Sequence, residues 1–145
     1  MNHLKNNPIL VIEDDPDDQH LLKQICKRLG VRNELIFCDN GIQALEYLRT
    51  TSDRLFIILC DINMPLMDGL ELRRAINQDE RLKEKNIPFI FLSTAATTKQ
   101  VNQAYELDVQ GFFSKGTSYK EFEQDLNIIL QYWSRCKAFN SSEML

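Results

Sequence analysis

The chain is poor in the residues that would announce a metal staple, a redox pair or a histidine-based catalyst. Its four cysteines, Cys26, Cys38, Cys60 and Cys136, form no Cys-x-x-Cys pair. That spacing speaks against a zinc site or a disulfide framework and for buried, reduced thiols in a cytoplasmic protein. The two histidines, His3 and His20, stand at no ligating or catalytic spacing. No apolar run approaches the ~18 residues of a membrane helix. The opening residues 1–8 are polar, unlike a signal peptide. Basic charge is also short: 17 Lys and Arg stand against 21 Asp and Glu, a net charge of −4. That balance disfavours nucleic acid as a partner, although it leaves room for a local basic patch.

What is present is enough for a core. The chain has 145 residues, 43% of them hydrophobic, which fits one domain, 1–145, with its core over about 8–136 and a polar tail over 137–145. Ile9-Leu10-Val11-Ile12 and the run from Leu55 to Cys60 are continuously apolar and end in acids, the pattern of strands buried on both faces. Further strands are expected at Glu34–Cys38, Pro88–Ser93 and Gly111–Ser114. Helical stripes separate them. Asp15 with Pro16 opens the first, and Gly30 stops it. Asn40, Asp68, Thr97 and Ser118 are each followed three residues later by Gln or Glu, the spacing of capping pairs. In the last helix Phe122, Leu126, Ile129, Leu130 and Trp133 line one face, with Tyr132 and Trp133 as expected anchors. The charged stretch from Gln78 to Asn86 reads as a solvated connector. Five strands and five helices in strict alternation predict an α/β fold, a parallel sheet with helices on both faces.

In such sheets, sites form beyond the carboxyl ends of the strands. Those ends carry Glu13, Asp14 and Asp15, then Asp61, Ser93 and Lys115. In the common doubly wound order 2-1-3-4-5, the first and third strands are neighbours, which brings Glu13, Asp14 and Asp61 into one crevice. Like charges 4 Å apart at an effective dielectric of 20 repel by roughly 4 kcal/mol, so such a cluster calls for a divalent cation. Hard oxygen donors and two or three carboxylates suit Mg²⁺. A metal beside a carboxylate, a lysine and a hydroxyl can carry out phosphoryl transfer: Asp61 as nucleophile, Lys115 neutralising phosphoryl charge, Ser93 donating a hydrogen bond. Asp17 and Asp18 read as first-turn or solvated acids.

From roughly Pro8 to Trp133 the chain resembles the receiver domain of two-component response regulators. The resemblance is carried by Glu13-Asp14-Asp15-Pro16 after the first strand and by Asp61-x-x-Met64-Pro65-x-Met67-Asp68-Gly69. Pro88–Ala95 and Phe112-Phe113-Ser114-Lys115 complete it. It implies the flavodoxin-like order 2-1-3-4-5 and an acyl phosphate on Asp61 supplied by a histidine kinase or phosphotransfer protein. It also implies Mg²⁺, with Mn²⁺ possible, on Asp14, Asp61 and the backbone carbonyl of Asn63, with Glu13 acting through water. Ser93 and Phe112 would be coupled switch positions. The response would emerge on the face of the fourth helix, fifth strand and fifth helix, for a separate downstream protein. The chain departs from the family pattern at Gly116 (usually Pro), Thr94 (usually smaller) and Asp108 (commonly Gly), and its switch aromatic is Phe rather than Tyr.

Two other functions fit parts of this pattern. An aspartyl-nucleophile, Mg²⁺-dependent phosphatase would share the fold and metal, but it typically needs a second acid two residues after the nucleophile, where Asn63 stands. A phosphate-independent interaction module would not need the full acceptor set. The expectation is therefore a phosphorylation-dependent signalling switch, not a classical enzyme.

Overall fold

The computed structural model describes residues 6–116 and 118–136. The apolar runs become strands: β1 (Ile9–Ile12), β2 (Leu35–Cys38), β3 (Ile57–Cys60), β4 (Phe89–Ser93) and β5 (Gly111–Ser114). All pairings are parallel, and the order is β2-β1-β3-β4-β5, as expected. Between them run α1 (Pro16–Arg28), α2 (Gly41–Thr50), α3 (Gly69–Gln78), α4 (Glu80–Glu84), α5 (Thr98–Glu106) and α6 (Tyr119–Arg135).

Successive strand residues point to opposite faces, so each strand feeds two cores. Leu10, Ile12, Ile58, Cys60, Phe89 and Phe91 pack against Leu45 and Leu48 of α2, Leu72 and Ile76 of α3, and Ala104 of α5. Ile9, Val11, Ile57, Leu59, Ile90 and Leu92 pack against Leu22 and Ile25 of α1 and Phe122, Leu126 and Ile129 of α6. Every residue of β1, β3 and β4 is buried, whereas β5 has none buried and β2 only Cys38.

Caps set the helix starts. Asp15 accepts from Asp17 N, with Pro16 at the first helical position. Reciprocal capping boxes join Asp68 to Glu71 and Thr97 to Gln100. Ser118 accepts from Glu121 N. Asp108 closes α5 with φ 61°, the left-handed conformation that Asp tolerates better than most residues.

Three expectations need correction. The stretch from Gln78 to Asn86 is no plain connector: Asp79 caps α4 by accepting from Leu82 N, and Leu82 is buried under the sheet. One apolar side chain among charges is too weak a period to read, yet it closes the core edge. The expected fourth and fifth helices are therefore α5 and α6. Tyr132 does not anchor α6; it is 61% exposed, while the neighbouring Trp133 packs against the core. The fourth expected helix, whose spacing offers Val101, Ala104, Tyr105 and Leu107 as an apolar stripe, buries only Ala104 within α5 and leaves Tyr105 exposed. Among the thiols, Cys26, Cys38 and Cys60 are buried, Cys136 is half-exposed, and none is bridged. The expected polar tail, 137–145, lies outside the described residues.

Candidate functional site

The carboxyl ends of β1, β3, β4 and β5 meet in one crevice because those strands are in register. Ile12 is level with Cys60, Cys60 with Phe91, and Ser93 with Ser114. The residue just past β1, β3 and β5 is Glu13, Asp61 and Lys115 in turn, and β4 ends on Ser93 itself. Asp61 N donates to Ile12 O at 2.9 Å, and Lys115 N donates to Ser93 O at 2.9 Å. These two bonds continue the sheet by one residue and point the side chains of Asp61 and Lys115 into the same space.

Glu13, Asp14 and Asp61 come together there. One carboxylate oxygen from each lies within 4.8 Å of the others. Glu13 is buried, Asp14 exposed and Asp61 half-buried, so the cluster opens to solvent on the Asp14 side. Burial raises the Glu13 carboxyl to about 7, against the opposing pull of the hydrogen bond and charge of Lys115. Burial also raises Asp61, while Lys115 and the backbone N–H groups of Ile62 and Asn63 pull it down. Crowded, partly desolvated carboxylates with only hard oxygen donors fit a divalent cation, whose charge would favour their ionised forms.

Lys115, whose side chain is 9% exposed, bridges the acids. Its Nζ bonds Glu13 Oε1 and Asp18 Oδ2, the latter at 2.9 Å, and lies 3.9 Å from Asp61 Oδ2. Ser93 is 2% exposed, and its Oγ makes no hydrogen bond among the described residues. An unpaired buried hydroxyl costs about 1–3 kcal/mol, which a ligand oxygen in the crevice would relieve.

Beyond Asp61 the chain makes a tight loop. Asp61 Oδ1 accepts from Ile62 N at 2.8 Å, and Gly69 N donates to Ile62 O at 2.9 Å. A Cβ on Gly69 would fall 2.4 Å from Asp61 O, so only glycine lets the start of α3 approach the acid so closely. Leu66 turns the loop with φ 68° and is exposed. Asn63 is exposed, and its Oδ1 accepts from Gln100 Nε2 of α5 at 3.3 Å. Phe112 is half-buried on β5, its ring 5.6 Å from that of Phe91. Thr94 is exposed beside the crevice. Gly116 has φ 79°, and no cis peptide occurs among the described residues.

The structure thus gathers Glu13, Asp14 and Asp61, with Lys115 reaching Glu13 and Asp61, Ser93 at the adjoining strand end and Phe112 on β5 level with Phe91. Two residues escaped the sequence reading. Asp18, taken for a first-turn or solvated acid, bonds Lys115. Gln100, taken only for a capping partner, also touches the loop after Asp61. Helical spacing gives each a face, but which face looks into the crevice depends on how the helix is docked.

Known proteins resemble the chain over most of its length. Residues 9–127 match the model of the response regulator receiver domain. The chain is 31% identical over 137 residues to Response regulator Rcp1 of Synechocystis sp., covering 89% of this chain and 92% of that protein. It is similar in structure to the phosphorylated cyanobacterial phytochrome response regulator RcpA, with TM-score 0.82, 27% identity, and 94% and 99% of the two chains covered. It is also similar to the Mn²⁺-bound form of Rcp1, with TM-score 0.79, 29% identity, and 92% and 98% covered.

Proposed function

The chain belongs to the response regulator receiver domain family of two-component signalling, and from its crevice we propose that it is a phospho-switch whose acceptor is Asp61. The observation that carries this reading is the convergence of Lys115, Glu13 and Asp14 on the Asp61 carboxylate. It is joined by the hydroxyl of Ser93 at the next strand end, which has no partner among the described residues.

Asp61 Oδ attacks phosphorus of the incoming phosphoryl group. The bond to the donor breaks as the bond to the carboxylate oxygen forms, leaving an acyl phosphate. Lys115 faces the new negative charge, and Ser93 Oγ donates to a phosphoryl oxygen. Asp14, Asp61 and the Asn63 carbonyl would hold Mg²⁺, or Mn²⁺ in its place, with Glu13 acting through a water. A cation bound there offsets the charge of acids and phosphoryl oxygens together. Mn²⁺ in Rcp1 supports the choice of a hard divalent ion. The donor is the phosphohistidine of a kinase or of a phosphotransfer protein.

The conformational response runs through β4 and β5. As Ser93 closes on the phosphoryl group, Phe112 turns toward the space beside Phe91, and the face of α5, β5 and α6 changes shape. That face exposes Tyr105, Ile128 and Tyr132, apolar surface suited to docking a separate protein. Residues 8–136 are the working unit of this switch.

Incubation with acetyl phosphate and Mg²⁺, read by intact mass, tests the proposal. One added phosphate is expected, labile to hydroxylamine, absent in Asp61→Asn and lost on chelation. No adduct with any donor would sink the switch. Steady Asp61-dependent hydrolysis of small phosphomonoesters would replace it with a phosphatase.

A further inference from the structure

We propose that Asp18 is the resting counter-ion of Lys115. From the first turn of α1 it holds the ammonium to one side of Asp61, and phosphoryl transfer must draw the lysine out of that grip. The inference rests on Asp61 as acceptor and adds a positioning residue on a different element.

Three observations carry it. Lys115 Nζ is 2.9 Å from Asp18 Oδ2 but 3.9 Å from Asp61 Oδ2, so it is hydrogen-bonded to the former and only near the latter. Asp18 has no duty in capping α1, because Asp15 Oδ1 already accepts from Asp17 N at 2.9 Å. The backbone after Lys115 does little to aim the side chain. Gly116 is left-handed, its N–H rests on Ser114 Oγ at 3.2 Å, and among the described residues beyond its chain neighbours the nearest atom to where its Cβ would be is 3.6 Å away. With the side chain 9% exposed, its carboxylate partners decide where the ammonium sits.

The two near partners are unequal. The Glu13 side chain is 5% exposed and that of Asp18 is 32% exposed. Parting Lys115 from Glu13 would strand a buried carboxylate, which is costly. Parting it from Asp18 returns a carboxylate to water, which is not. The lysine therefore keeps Glu13 and exchanges Asp18 for a phosphoryl oxygen. No covalent bond changes in this step; one ion pair replaces another.

The test uses the full chain with three variants. In Asp18→Asn the adduct should form from acetyl phosphate at saturating Mg²⁺ roughly 1.5- to fivefold faster, the scale of one lost partly exposed ion pair. Asp18→Glu should return toward the parent rate. Asp17→Asn removes a neighbouring first-turn acid from the same helix end and should change nothing. The second readout needs no phosphate: the ¹⁵N resonance of the Lys115 ammonium, assigned with Lys115→Arg, should move in Asp18→Asn and return in Asp18→Glu. An Asp18→Asn rate at or below the parent, or an unmoved Lys115 resonance, overturns the proposal. A parent chain that takes no phosphate would instead sink the acceptor reading, and the resonance alone would then judge Asp18.

Discussion

The centre of the sheet and its β5 edge are built to different standards. β1, β3 and β4 are buried along their whole length, and the acids, Ser93 and the loop after Asp61 hang from their ends. β5, with no fully buried residue, carries Phe112 and Lys115 between α5, which buries only Ala104, and α6, which leaves Ile128 and Tyr132 to solvent. Close-packed strands hold reacting groups in place, whereas a half-packed edge can adopt a second arrangement at small cost. The proposed chemistry falls mainly on the first, with Lys115 reaching in from the second, and the proposed response falls on the second. Ser93 sits on the seam, buried on β4 and level with Ser114 of β5.

The contrast can be broken most directly at Phe91. It is fully buried, its ring meets Phe89 at 5.1 Å and Phe112 at 5.6 Å, and it lies against Gly69. Phe91→Ala should lower unfolding stability in urea by about 3–5 kcal/mol. A loss below about 1 kcal/mol would mean that the centre is not the rigid half.

A smaller effect probes the centre through pH. Burial pushes the Cys26 thiol up to about 11 from an ordinary value of 9.0. The folded chain keeps this proton where the unfolded chain has lost it. The contribution is therefore intact below pH 9 and is lost as pH rises from 9 to 11, by roughly 2–3 kcal/mol across that window. Urea midpoints over the same range should fall less steeply in Cys26→Ala than in the parent; parallel curves would contradict the sign.

The smallest effect belongs to the edge. Tyr132→Ala should alter stability by no more than about 0.5 kcal/mol and leave phosphate uptake by Asp61 unchanged, because its ring is 61% exposed and meets only Trp133 among the described aromatic pairs. A cost above about 2 kcal/mol would show that the edge carries the fold as well.

Much of this is legible in the residues alone. Apolar runs ending in acids mark β1 and β3, and Asn40, Asp68, Thr97 and Ser118 mark helix starts, because burial and capping act over a few neighbouring residues. The loop after Asp61 is legible too, since Gly69 and the residues before it meet a local steric demand. Leu82 is not, because a single apolar residue has no period. Nor is the exposure of Tyr132, which depends on how α6 is rotated against β5.

By itself, then, the sequence determined the order of the five strands and of every helix but α4, the α/β class, the family and the short list of candidate side chains. These follow from periodicity, capping and a loop motif that all lie within short stretches of chain. Only the tertiary structure decided what those side chains do to one another. It leaves Ser93 Oγ without a partner among the described residues, buries Glu13 while Asp14 faces water, and spans the ninety-odd residues between Asp18 and Lys115 with one hydrogen bond. Such pairings depend on how α1 docks against the sheet, and no local pattern encodes that.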